Sequence, residues 1–389
     1  MTQTLSLPFT FNTTASLVFE PGAATRLGDI AAKRLGNRVL FVTDPGLRAI
    51  GLCDDPIASL EASGVEVILF DQVEADPSRA TLMKAVEVGR GASGIVGFGG
   101  GSSLDVAKLA ALLIGSGEDL DEAWGVAQAK GPRLPLVLVP TTAGTGSEVT
   151  PVSIITVGRQ EKRGVSSAIL LPDIAVLDAD LTLGLPPAIT AATGIDAMVH
   201  AIEAYASKNA NNNPLSKMLA REALRLLGAN IERVIANGQD RAARGAMLLG
   251  SMLAGQAFAN SPVAAVHALA YPIGGTFHIP HGLSNALVLP HVLRFNAPDA
   301  AHLYAEIAAD CFPGLEREEG VQGRCAAFIE ELAALSKRVG LPPRLRDVGI
   351  GEDALPKMAS DAMKQQRLLV NKPRAVPEAD ALSIYRAAW

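Results

Sequence analysis

The chain has 389 residues, 49% of them apolar and 4% aromatic, so it is long enough to fill two cores. Lys and Arg number 34 against 40 Asp and Glu, a formal net charge of −6. That mild acidity gives no basic surface for phosphates, and the scarcity of aromatics leaves no stacking platform, so neither a nucleic-acid nor a membrane partner is expected.

Three cysteines, Cys53, Cys311 and Cys325, are far apart and odd in number, which reads as reduced thiols. The first basic residue is Arg26, and no run approaches the roughly 20 apolar residues that span a bilayer. The expectation is a soluble cytoplasmic protein.

In chain order, the runs Val39–Val42, Val65–Leu69, Ile95–Phe98 and Leu136–Val139 are almost continuously apolar. Strands apolar on both faces belong in a sheet covered by helices on either side. Ser78–Val88 and Ser103–Leu113 have helical length and spacing between them, so the pattern predicts a doubly wound, mostly parallel, Rossmann-like sheet. After Pro186-Pro187 the strand-like runs nearly vanish, and residues 190–206, 215–236, 240–258 and 300–311 are rich in helix formers. The expected division is an α/β domain over 1–187 and an all-α domain over 188–389.

Three segments of the first half suit a dinucleotide. Gly97-Phe98-Gly99-Gly100-Gly101-Ser102 leaves a strand and opens a helix, where glycines let a pyrophosphate approach free N–H groups. Ser102 is a candidate N-cap there, with Asp105 three residues on in a capping-box position. Thr141, Thr142, Thr145 and Ser147 put four hydroxyls into a seven-residue loop with two glycines, after another strand. Asp44 ends the strand at 39–42, where a carboxylate accepts from a ribose diol and repels a 2′-phosphate, favouring NAD over NADP.

The second half carries a metal-like set. Asp196 and His200 are four residues apart on one helical face, and four of the six histidines, His267, His278, His281 and His291, lie between 267 and 291. Three imidazoles and one carboxylate suit Fe²⁺ or Zn²⁺, with room for a further ligand. Spacing leaves His278 and His281 open as the last ligand, with His291 weaker.

These residues resemble the iron-containing (group III) alcohol dehydrogenase family. The marks are GGGS at Gly99–Ser102 with Asp105 and Lys108, PTTAGTGSE at Pro140–Glu148, LPDIAVLDADLT at Leu171–Thr182, ATGIDAMVHAIEAY at Ala192–Tyr205, and HIPHGLSNALVLPHVLRFN at His278–Asn296. The resemblance implies a dehydroquinate synthase-like architecture binding NAD(H) and a divalent metal, often Fe²⁺, and at least a homodimer. It implies Asp196, His200, His267 and His281 as metal ligands. It places cofactor contacts at Asp44, Gly100, Gly101, Ser102, Thr141, Thr142, Thr145 and Ser147, and aligns Lys162 with a cofactor-facing lysine. Where the family commonly reads H-A-L-A-H, this chain has Tyr271 for the second histidine, a position near nicotinamide and substrate.

The implied activity is reversible hydride transfer between NAD and a small primary alcohol, with the metal acidifying the alcohol oxygen. Phe258, Val152 and Phe277 are candidates for an apolar pocket; Arg159 and Arg163 read as solvated surface. A hydroxy acid such as 4-hydroxybutyrate would require a fixed cation facing the metal, which the sequence does not place. The alternatives are a maleylacetate reductase, which typically has Asn in place of Asp196, a glycerol dehydrogenase or dehydroquinate-synthase-like lyase, which fits His278–Asn296 poorly, and a silent NAD-binding scaffold.

Overall fold

The computed structural model describes residues 8–158 and 161–389. The chain divides into two compact units: residues 12–184, and residues 185–389 joined by residues 8–11. Asn211 anchors that short segment, accepting from the Thr10 N–H at 2.8 Å and donating to its carbonyl at 2.8 Å.

The α/β unit runs β1 (Ser16–Phe19), α1 (Leu27–Leu35), β2 (Arg38–Val42), α2 (Pro45–Ala49), α3 (Asp54–Ala62), β3 (Glu66–Phe70), α4 (Arg79–Val88), β4 (Gly94–Gly99), α5 (Gly101–Ser116), α6 (Leu120–Ala123), β5 (Gly125–Val126), β6 (Leu136–Pro140), β7 (Val152–Val157), β8 (Glu161–Ser166) and β9 (Ile174–Leu177). Six strands form one sheet in the order β1-β9-β6-β4-β2-β3, every neighbouring pair parallel. Alternation within each strand feeds two cores. Val39, Phe41, Val96 and Phe98 pack with Leu27, Leu35 and Leu60 of α1 and α3, whereas Leu40, Val42, Ile95 and Leu138 pack with Leu82, Leu104 and Leu109 of α4 and α5. That double burial is why these strands read as unbroken apolar runs.

The order reverses between β2 and β4: the chain goes outward from β2 to β3, then returns to β4 on the other side. In open parallel sheets such a switch point, at the carboxyl ends of the two strands, is where ligands bind. A second sheet, β5-β8-β7, was not foreseen; β7 and β8 pair antiparallel. The expected Ser102 cap is corrected. α5 starts at Gly101 with Gly100 as its N-cap and no side-chain cap, so Ser102 lies inside the first turn and Asp105 is free to bond elsewhere.

The helical unit contains α7 (Pro187–Ala206), α8 (Pro214–Ala236), α9 (Arg241–Asn260), α10 (Ala265–Phe277), α11 (His281–Cys311), α12 (Gly320–Arg338), α13 (Leu355–Ala362), α14 (Gln366–Leu369) and α15 (Glu378–Ala388). Asn213 and Asp240 cap α8 and α9, each accepting from a backbone N–H three residues on at 3.0 Å. α7 is apolar and buried almost all round, so its few polar side chains face protein. The helix foreseen at 300–311 is the end of α11, which runs through Pro290 and Pro298. Among the described residues no helix is long and apolar enough to cross a membrane.

Candidate metal centre and nucleotide loops

Three helices of the helical unit bring one group of side chains together. α7 presents Asp196 and, one turn on, His200; α10 presents His267 near its start; α11 presents His281 as its first residue. One donor atom from each lies within 4.8 Å of the others, and only His281 is more than slightly exposed. Nε2 of His267 and of His281 are each 3.9 Å from Asp196 Oδ1.

A further layer fixes the group. Glu203, one turn beyond His200, is buried; its Oε2 lies 2.7 Å from His267 Nδ1, and its Oε1 accepts from the Val266 N–H at 2.7 Å. A carboxylate at Nδ1 draws the ring hydrogen there and leaves the Nε2 lone pair facing the cluster. Phe258 stacks on His200 with ring centroids 4.4 Å apart. Gly282 is required by proximity: a Cβ there would sit 2.3 Å from the Ala192 carbonyl oxygen, so only glycine lets α11 begin against α7.

Asn285 joins this group. Its Nδ2 lies 2.6 Å from Asp196 Oδ1 and 3.3 Å from Nε2 of both His267 and His281, while its Oδ1 is buried with no hydrogen-bond partner. One carboxylate and three imidazoles converging in a mostly buried group fit a divalent cation, and the nitrogen-rich set without thiolate fits Fe²⁺ or Zn²⁺.

In the α/β unit, three segments leave the carboxyl ends of the adjacent strands β2, β4 and β6. Asp44 follows β2 and caps α2, its Oδ1 accepting from the Leu47 N–H at 3.0 Å. Gly100, Gly101 and Ser102 follow β4, and Thr141–Ser147 follows β6. A Cβ on Gly101 would meet Thr145 at 2.9 Å, so glycine sets how closely these loops approach. Asp105 braces the second loop, accepting from Ser147 Oγ at 2.7 Å and from the Ile154 N–H at 2.8 Å.

Beneath this loop lies a fully buried lysine. Lys108 Nζ donates to Ser147 Oγ (2.7 Å), Thr150 Oγ1 (3.2 Å) and the Val152 carbonyl (2.8 Å). Burial pulls its ammonium down to about 8, although Asp105 and Glu148 oppose the shift. Burial likewise pushes the Glu148 carboxyl up to about 7, and its Oε1 has no partner.

Residues 14–179 match the model of the iron-containing alcohol dehydrogenases, and residues 190–389 match the C-terminal model of the same family. The chain belongs to the iron-containing alcohol dehydrogenase family. It is an oxidoreductase acting on CH–OH donors. It is 42% identical over 388 residues to long-chain-alcohol dehydrogenase 1 of Geobacillus thermodenitrificans, covering 96% of this chain and 97% of that protein. The crystal structure of a 1,3-propanediol oxidoreductase superposes with a TM-score of 0.94 at 35% identity, covering 98% of this chain and all of that one. Sulfoacetaldehyde reductase from Bifidobacterium kashiwanohense, solved in complex with NAD⁺, superposes at 0.85 with 26% identity, covering 98% and 99% of the two chains. The dehydroquinate synthase-like fold expected of the family is therefore present.

Within this alcohol dehydrogenase, His281 rather than His278 stands in the four-residue group. His278 ends α10 in the left-handed conformation (φ 56°), its N–H bonded to the Gly274 carbonyl. His291 lies further along α11, where burial, with Arg294 adding to it, holds its imidazole down to about 4. Tyr271 is one turn after His267, its ring 6.1 Å from that of His281, and its hydroxyl accepts from Arg367 Nη2 at 3.0 Å. Lys162 sits on β8, paired with Asp76, and Arg163 pairs with Glu161 at the surface; Arg159 lies outside the described residues. Val152 contributes its carbonyl to Lys108, and Phe277 is half-buried at the end of α10. Glu203, Asn285 and Arg367 were missed. Glu203 had a signal, since Asp196, His200 and Glu203 fall at i, i+4 and i+7 of one helical face.

Proposed function

We propose that this enzyme is an NAD-dependent, divalent-metal-dependent alcohol dehydrogenase and aldehyde reductase for small primary alcohols. The observation that carries the reading is the convergence of donor atoms from Asp196, His200, His267 and His281 within 4.8 Å of one another, three of the four residues buried. These four would hold the metal, Fe²⁺ by preference or Zn²⁺. When bound, such an ion supplies Lewis acidity toward an alcohol or carbonyl oxygen. NAD supplies the hydride acceptor. Preference for NAD over NADP rests on Asp44 at the switch point. Gly100, Gly101 and Ser102 offer the uncapped N–H groups of the first turn of α5 to the pyrophosphate. Thr141, Thr142, Thr145 and Ser147 offer hydroxyls, Asp105 braces Ser147, and Lys162 is a further candidate contact.

The chain's own residues do the rest. Glu203 orients His267 and fixes its tautomer; Asn285 steadies Asp196 through its amide N–H. Phe258 covers one face of His200 and keeps water from it. Tyr271, whose ring lies 6.1 Å from that of His281, is the candidate to exchange a hydrogen bond with a bound alcohol or aldehyde. The reading includes a cytoplasmic homodimer, in keeping with three buried free thiols.

The test is metal analysis of purified protein, then NADH oxidation with a panel of aldehydes before and after chelation. Activity should disappear on chelation and return with Fe²⁺ or Zn²⁺. Full activity in metal-free protein would overturn the reading.

A further inference from the structure

Two of the four cations that follow Asp361 have no carboxylate partner among the described residues, and one of them reaches the ring beside His281. Between Asp361 and Glu378 the chain carries Lys364, Arg367, Lys372 and Arg374 and no acid. Lys364 pairs with Asp361 at 2.6 Å, and Arg374 lies 3.7 Å from Asp299 and donates to the Phe295 carbonyl. Half-buried Lys372 donates to the Leu369 carbonyl. Arg367 is exposed, and its side-chain partner among the described residues is a phenol: it donates to Tyr271 Oη at 3.0 Å, with its guanidinium carbon 5.7 Å from the ring centre.

Tyr271 ties this charge to the centre. It stands four residues after His267 on α10, so the two share a helical face, and its ring lies against that of His281. A phenol reaches further from its helix than an imidazole would, far enough to hold Arg367 by its hydroxyl. A guanidinium has five N–H donors in a planar fork, and Tyr271 occupies one. The rest suit a carboxylate, and fixing a long side chain on a ring lowers the entropy cost of using it.

We propose that Arg367, steadied by Tyr271, binds the acid group of the substrate, so that short ω-oxo and ω-hydroxy carboxylates are the preferred pair. This rests on the metal-dependent oxidoreductase reading above. The carboxylate is unchanged in turnover: aldehyde, NADH and a proton give alcohol and NAD⁺.

The experiment compares 4-oxobutanoate with pentanal, a neutral aldehyde of similar length, using metal-loaded enzyme and NADH. Wild type should favour 4-oxobutanoate in kcat/KM. Arg367→Met should lower that preference about tenfold or more, mainly through KM, and Arg367→Lys should recover part of it. Butanoate binding followed by ligand-observed NMR, which needs no turnover, should weaken to the same degree in Arg367→Met. Equal losses for both aldehydes, unchanged butanoate binding, or a wild-type preference for pentanal would overturn the assignment of Arg367. No turnover of either aldehyde, with butanoate still bound through Arg367, would instead overturn the oxidoreductase reading and leave the anion site standing.

Discussion

The α/β unit and the helical unit assemble their candidate sites from different materials. At the ends of β2, β4 and β6 the polar groups are backbone amides, short hydroxyls and one carboxylate, and their positions follow from the path of the chain. In the helical unit they are imidazoles and a carboxylate on three helices, and their positions follow from rotamers held by Glu203, Asn285 and Phe258. Side chains on helices can be aimed closely but depend on their supports; loops tolerate change at individual residues but depend on whatever braces them from below. Lys108 is that brace.

If this contrast is right, the largest single effect falls on the helical site. His281→Ala should abolish metal retention, measured by metal content after dialysis, whereas His278→Ala should retain the ion because that residue ends a helix instead of facing the cluster. The reverse result would break the comparison at its strongest point. Gly282→Leu comes next. Its side chain must displace the Ala192 carbonyl, with 2.3 Å available at Cβ, so metal affinity should drop about tenfold or more and Tm should fall.

The loop site should respond differently. Lys108→Met removes the donor to Ser147, Thr150 and Val152 and the cation 3.7 Å from Asp105, at a cost of about 3 kcal/mol in stability. It should raise KM for NAD while leaving metal content intact. Asp44→Gly should relax discrimination against NADP and, through loss of the α2 cap side chain, cost only about 0.3 kcal/mol, since glycine is itself tolerated at an N-cap.

The remaining expected effect is a pH slope. The Glu148 carboxyl is pushed up to about 7 from an ordinary 4.5, chiefly by burial. The folded chain therefore keeps a proton that the unfolded chain has released, so its contribution to stability falls as pH rises from about 4.5 to 7. Lys108 runs the other way: pulled down to about 8 from 10.5, it adds stability as pH rises across that window. Denaturant titrations across pH should show the acid-side slope flattened in Glu148→Gln.

How much of this could be read in advance depends on the kind of order involved. The central strands were legible because burial on both faces leaves no polar interruption. β1 was not: it has four residues at a sheet edge, with Leu17 and Phe19 exposed. The start of α11 was hidden by Pro290 and Pro298, which usually end a helical pattern. Ser102 looked like a cap because the residue type and the Asp105 spacing were right, yet the chain placed glycine at that position. Asp196 and His200 showed themselves by local spacing. Arg367 is 96 residues from Tyr271, and no local pattern links them.

One feature of the helical site reaches beyond catalysis. Asp196 and His281 are far apart along the chain, and α7, α10 and α11 each contribute to the same four-residue group, so a metal bound there would add a cross-tie to three helices. Ligation energy then adds directly to folding energy. Cells short of iron would hold the same polypeptide in a looser, more readily digested form. Limited proteolysis of metal-stripped protein should open this bundle first, making cation supply a control on the enzyme's lifetime.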